Sequence, residues 1–216
     1  MQKLLLALTI ILLTGVACQR GFSQSQATDD STAIEGLLEE LRQLKESDLK
    51  KAFEFSRLIV QRADKINFQK GVWEAKIEQG IINDALGNAD SALSIVNQVL
   101  IEIREQNDRL SEIKAHLGLA RIFEHNFKLQ PGIDQLIQAE KLLKREDPFD
   151  VRFDMLNLQG ILHRLMKDYT SALRYYKIIE DAYFEQLSPK QKFFLYMNQG
   201  NVFAVQKDYS KTEELF

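Results

Sequence analysis

Asn198-Gln199-Gly200-Asn201, followed by Lys207-Asp208-Tyr209-Ser210-Lys211-Thr212, matches in type the earlier Leu158-Gln159-Gly160, followed by Lys167-Asp168-Tyr169-Thr170-Ser171-Ala172. Outward from these two copies, glycines recur at Gly80, Gly118, Gly160 and Gly200, spaced by 38, 42 and 40 residues, and three of them follow a glutamine. A shared period of this length outranks any single short motif and marks a repeat architecture. Twelve residues past the glycine stands a small residue (Ala92, Ala172, Thr212), and sixteen past it a bulky one (Val96, Tyr176, Phe216). The steric reading is a pair of antiparallel helices per copy. The glycine admits a second backbone where a Cβ collides, the small residue lies opposite, and the bulky residue packs between repeats.

Forty residues before Gly80 lies Glu40, and twelve further on Ala52. Asp48-Leu49-Lys50-Lys51-Ala52-Phe53 reads as a second helix, while the first, around Leu37, Leu38, Leu41 and Leu44, lacks the glycine. This degenerate copy is predicted to cap the array. The copy at Gly118 departs from the pattern after Phe127, where Lys128-Leu129-Gln130-Pro131-Gly132 reads as an inserted turn. Pro131 and Pro148 are expected between helices, and Pro189 at the first position of one, inside a capping box of Ser188 and Gln191. Asp147 and Asp168 are expected as N-caps. No alternating, β-branched stretch is long enough for a strand, so the expected class is all-α.

From about Ser31 to Phe216 these copies resemble the tetratricopeptide repeat family, through the glycine contact, the acidic-aromatic turns Asp168-Tyr169 and Asp208-Tyr209, and Ala172 on the second helix. The resemblance implies a right-handed superhelical solenoid of about five antiparallel helix pairs, the last incomplete. That family's period is ~34 residues, so each copy here carries roughly six more, as in the longer-helix variants of bacterial sensor and regulator proteins. The aromatic expected three residues past the glycine is Phe203; Asn83, Arg121 and His163 stand in the other copies.

In that family the first helices line a concave groove, with the facing residues six and three before the glycine and one and four after it. The resemblance thus implies a groove of Glu74, Ile77, Ile81 and Asp84; Glu112, Ala115, Leu119 and Ile122; Asp154, Asn157, Ile161 and Arg164; and Phe194, Met197, Asn201 and Ala204. It also implies a protein or peptide as partner. The lysine-rich clamp by which chaperone-binding members grip a terminal carboxylate is represented only by Asn201, so that mode is not expected. Asn157 and Asn201 can donate to and accept from a peptide backbone, and Ile77, Ile81, Leu119 and Met197 can receive apolar side chains. The alternative for each apolar position is packing against the neighbouring repeat.

Residues 1–23 read as a signal peptide: Lys3 supplies the charge and Leu4 to Ala17 form an apolar run of 14. That run is shorter than the ~20 residues a membrane-spanning helix needs. Cleavage before Gln24 gives a secreted chain. Cleavage before Cys18 resembles a bacterial lipoprotein, although Gly15 stands where that family prefers a leucine-like residue. Residues 24–32 are a polar linker and 33–216 the repeat domain. The last helix, opening near Asp208, ends at Phe216 after nine residues, so the domain is read as truncated in its last repeat. Cys18 is the single cysteine, so no disulfide holds the exported chain.

Removing residues 1–23 takes away Lys3 and Arg20 and no acid, leaving 26 basic against 31 acidic residues. That balance argues against nucleic acid as a partner, which needs basic clusters, and leaves membrane attachment to Cys18 or a further segment. His116, His125 and His163 lack metal-ligand spacing, and no phosphate loop, dinucleotide fingerprint or nucleophile elbow occurs. No enzyme, metal or cofactor is expected. The aromatic set Trp73, Tyr175, Tyr176, Tyr183, Phe184, Phe193, Phe194 and Tyr196 reads as inter-repeat core, with Phe194 also on the groove. The expected function is a non-catalytic protein-binding scaffold outside the cytoplasm. The alternative is the sensory module of a signal-transduction protein with a histidine kinase or helix-turn-helix output.

Overall fold

The computed structural model describes residues 30–207 and Lys211. They fall into two compact units, divided between Ala75 and Lys76. Apart from the turns, the described residues are helical throughout. The helices are α1 (residues 30–44), α2 (Leu49–Lys65), α3 (Gln69–Ala85), α4 (Ala89–Glu105), α5 (Arg109–His125), α6 (Leu129–Leu142), α7 (Phe149–Leu165), α8 (Tyr169–Tyr183, continued by a 3-10 turn, Phe184–Gln186) and α9 (Pro189–Val205). None of the described helices is long and apolar enough to cross a membrane.

From α2 onward every helix starts 20 residues after the one before it. The cause is one connection used repeatedly. Asn67, Gly87, Asn107, Phe127, Lys167 and Lys207 all have φ between 55° and 90°. This is the left-handed residue that ends a helix in a Schellman motif. The next residue donates its N–H back over the helix end, as in Phe68 N to Ala63 O at 2.8 Å, Lys128 N to Phe123 O at 2.9 Å and Asp168 N to His163 O at 2.9 Å. That same residue is the N-cap of the following helix. Asp108 and Asp168 show both roles, their carboxylates accepting from Ser111 N at 3.0 Å and Ser171 N at 3.1 Å. With three residues per connection and 17 in most helices, the two-helix period is locked at 40.

Two corners break the rule, and each has a proline at or next to the capping position. Pro148 has no N–H to donate back over the end of α6, and it biases Asp147 away from helical backbone. α6 therefore stops at Leu142, and Pro148 itself is the N-cap of α7, a correction to the expected role of Asp147. The Asp147 carboxylate accepts from Lys144 N at 2.7 Å and binds Arg109 at 2.6 and 2.7 Å, while Arg109 also donates to the Leu142 carbonyl. At the second corner Pro189 opens α9 behind a complete Ser188–Gln191 capping box, as read from the sequence. Pro131 differs from expectation. It lies in the first turn of α6, where an N–H has no helical acceptor, so there is no inserted turn.

The true register follows. Counting by 40 from Gly80 gives Ala120, Gly160 and Gly200, and from Ala92 gives Gly132 and Ala172. In the third repeat the small residues have exchanged helices: Ala120 stands on α5 and Gly132 on α6. A Cβ on Gly132 would lie 3.1 Å from Leu162 Cδ1 and 3.6 Å from the Ala120 carbonyl. Gly118 sits two residues off this line, where a Cβ would meet Ile77 Cγ2 of α3 at 2.8 Å. The aromatic three residues past the small position is thus Phe123, and Arg121 does not replace it. The bulky residue sixteen past the glycine also has a different task from the one expected. A Cβ on Gly80 would meet Val96 Cγ2 at 2.5 Å, and one on Gly160 would lie 2.6 Å from Cζ of Tyr176, so these side chains fill the glycine's own gap within a helix pair.

In the unit up to Ala75, α1 buries Ile34, Leu38 and Leu41, and α2 buries Ala52, Ser56, Ile59 and Ala63 beneath its N-cap Asp48. The Glu40 position is exposed. In the unit from Lys76, one core joins Ile113, Leu117 and Ala120 to Leu136, Ala139, Met155 and Leu162. A second gathers Phe153, Leu156, Ala172, Tyr176, Ile179, Leu187 and Leu195. The aromatics of α7 and α8 serve this second core, with Phe149 to Tyr183 at 5.3 Å and Phe149 to Phe153 at 6.1 Å between ring centroids.

Candidate partner-binding face

Within the unit from Lys76, the first helices of each pair run parallel, and a residue meets the one 41 positions on. Ile77 lies against Gly118, Asp84 binds His125, Asp150 accepts from Gln191, and Asn157 accepts from Asn198 Nδ2 at 2.9 Å. This offset brings one strip of α3, α5, α7 and α9 into a common face.

The residues predicted for that face divide into three groups. Ile81, Asn157, Ile161, Arg164, Phe194 and Met197 are half-buried, and Asn201 is exposed. Ile77 and Asp84 are buried at 5% and 4% exposure, the first packed on Gly118, the second accepting from Asn126 at 2.6 Å and bound to His125 at 2.8 Å. Leu119 is 1% exposed, and with Ala115 and Ile122 it lies in the core, so it cannot line an open face. Glu112 pairs with Arg104 of α4 at 2.7 Å. The misplacement has one cause, because all four residues were positioned from Gly118 rather than Ala120. Counting from Ala120 gives Lys114, Leu117, Arg121 and Glu124, of which all but Leu117 are half-buried polar residues. Glu74 belongs to the other unit, where it is half-buried and ion-paired with Arg42.

The face therefore carries charges that the glycine spacing concealed. Arg121 of α5 pairs with Asp154 of α7 at 2.9 Å, and that carboxylate, with Glu78 adding to it, raises the guanidinium's pKa. Burial pushes the Glu124 carboxyl up, against the pull of His125, Arg121 and Arg164. The Tyr176 hydroxyl is buried beside Arg164, and burial raises its pKa against the pull of that guanidinium. Toward α9 the face turns to amides and apolar groups: the Asn157–Asn198 pair, Met197, and Phe194 with Phe193 at 5.8 Å and the Lys190 ammonium 5.8 Å from its centroid.

The histidines are accounted for by packing and pairing. His116 is 2% exposed, bonded to Gln135 at 2.7 Å and Arg104 at 3.3 Å, and burial lowers its pKa. His163 bonds Asp168 at 3.1 Å and stacks on Tyr175 with centroids 5.3 Å apart. Among the described residues no three metal-ligating side chains cluster. A separate shallow depression lined by Thr170, Leu173, Arg174 and Ile178 lies wholly on α8 and shares no residue with the face.

No family model matches the chain, and no curated protein sequence matches it. Solved structures do. BtubC (BKLC) from P. vanneervenii superposes with a TM-score of 0.59 at 18% identity, covering 88% of this chain and 87% of that one. A putative kinesin light chain with nearly identical TPR-like repeats from Podosopora anserina gives a TM-score of 0.56 at 15% identity, covering 85% and 91%. A variant of that kinesin light chain gives 0.53 at 14% identity over the same shares. The fold of this chain is the all-α, tetratricopeptide-like helical repeat.

Proposed function

We propose that the chain is a non-catalytic scaffold that holds a segment of another protein along the face of α3, α5, α7 and α9 from Ile77 onward, in an exported setting. The observation that supports this reading is the state of Ile81, Ile161, Phe194 and Met197. They are half-buried on a face where their core neighbours are fully covered, and they alternate with the amides of Asn157 and Asn201. Apolar anchors between groups able to bond a main chain suit a peptide segment. Repeat arrays present such extended faces because each repeat adds a strip to the same side.

The test is selection of peptides from a displayed random library on the full chain, followed by fluorescence anisotropy with a selected peptide. Ile161→Glu should weaken binding by about tenfold or more, since it buries a charge under an apolar side chain. Ile178→Glu, on α8, should leave it unchanged. Equal losses in both variants, or no selectable peptide, would remove the face from consideration. The sensory alternative shares this ligand-holding face and adds an output domain; a reporter that responds to the selected peptide only in the presence of such a domain would favour it.

A further inference from the structure

In the unit from Lys76, the ends of α3, α5, α7 and α9 and the turns after them lie along one edge. Asp84 at the end of α3 binds His125 and Asn126 at the end of α5, and the Asn157–Asn198 pair carries the same parallel offset on to α9. At this edge three large apolar side chains stand in solvent: Phe127 at 75% exposure, Met166 at 43% and Val205 at 56%. Lys128, Lys167 and Lys207, all exposed, stand beside them. Glu124 and Arg164, half-buried in the last turns of α5 and α7, face one another and offset in charge; the other charged groups of the edge are few. Asp168 caps α8 and bonds His163, His125 is bound to Asp84, Asp90 is exposed in the first turn of α4, and Lys211 lies 5.3 Å from the Phe203 centroid. Asp208 lies outside the described residues.

Phe127 is the sharpest feature. Its φ is 55°, at a position filled by asparagine at 67 and 107, by glycine at 87 and by lysine at 167 and 207. The left-handed region disfavours a bulky side chain, whereas asparagine and glycine enter it readily. Folding gives Phe127 little burial in return.

We propose that this edge docks on an anionic lipid surface, with Phe127, Met166 and Val205 entering the headgroup region and the three lysines facing lipid phosphates. The form of the edge favours lipid over a protein. Neighbouring packed helices are ~8–10 Å apart, so the apolar groups protrude as separate tips with polar backbone turns between them. A protein interface needs a contiguous packed centre, while a fluid bilayer receives separate aromatic tips flanked by lysines. The acidic excess of the whole chain does not oppose this, since charges more than about 10 Å from the edge are screened at ordinary salt. The proposal is independent of the peptide-binding face and of Cys18.

The test places a reporter at the tip, because residues 4–17 of the full chain are themselves apolar and would bind vesicles without reporting on the edge. In the full-length Phe127→Trp variant, emission should shift to the blue on adding phosphatidylcholine vesicles that contain phosphatidylglycerol, and the shift should vanish in high salt. Trp73, at 3% exposure, supplies a constant background. Adding Lys128→Gln, Lys167→Gln and Lys207→Gln should raise the lipid concentration at half-shift by roughly a hundredfold. Phe127→Asn should keep or raise the thermal midpoint, showing that the aromatic is not there for the fold. The proposal is overturned if emission does not shift, if phosphatidylcholine alone shifts it equally, or if the lysine substitutions leave the midpoint unchanged. Self-association removed by Phe127→Asn would also overturn it, assigning the tips to a second copy.

Discussion

The ring of Tyr176 occupies the volume that a Cβ on Gly160 would take, and because Tyr176 is fully buried the ring has nowhere to swing. Gly160→Ala should therefore destabilise by ~1–3 kcal/mol through overpacking, although alanine is the better helix former by about 1 kcal/mol. Urea denaturation gives the sign. In a Tyr176→Leu background the same substitution should cost less, and additive losses would show that ring and glycine do not share the gap. His116 supplies a second prediction at this scale. Burial holds its pKa below 6.5, against Gln135 and Glu112 and with Arg104, so the folded state resists its protonation. The unfolded chain takes up that proton first, so stability is full above about pH 6.5 and declines as the pH falls below it. Denaturation midpoints across that range should flatten in His116→Gln; an unchanged slope would mean that another group carries it.

The informative element is the corner between α6 and α7, where Pro148 removes the usual turn and Arg109 and Asp147 close the gap. The Arg109 guanidinium lowers the Asp147 carboxyl to about 2. Its contribution is therefore complete above the ordinary carboxylate value of 3.8 and lost as the pH falls toward 2, a window below that of His116. Asp147→Asn should cost about 1.5–3 kcal/mol at neutral pH, the range for hydrogen bonds to a charged group. Hydrogen exchange should show the loss first in the last turn of α6. If protection there is unchanged, the proline geometry holds the corner without the ion pair.

At the scale of the molecule, helices α5 to α9 share two cores that meet on α7, so they should open as a whole and not helix by helix. Native-state hydrogen exchange should converge on one opening free energy for the central amides of α5 and α7. Widely separated values would mean that the two cores open independently. Export is tested at the same scale by fractionation. If the parent partitions into membranes and Cys18→Ser does not, the cysteine is an anchor. If both remain in the soluble extracytoplasmic fraction, the chain is secreted.

The all-α class, the repeat and most helix ends were legible in the residues, because they depend on local chemistry: Asp168 and Ser188 cap, Pro189 starts a helix, and glycine recurs with a period near 40. The helix-pair register was legible at Gly80 and Gly160, where the glycine marks the close contact with the second helix. It was misread at Gly118, because Ala120 and Gly132 exchange small residues between two helices, and only packing tells which of two nearby small residues lies at the crossing. That error hid Arg121 and Glu124. Phe127 gave no signal either. Its left-handed backbone comes from the Schellman turn, and its exposure depends on what the neighbouring helices leave uncovered. Spacing along a chain fixes where helices begin and end; which side chains then meet depends on contacts about 41 residues apart, which local chemistry does not encode.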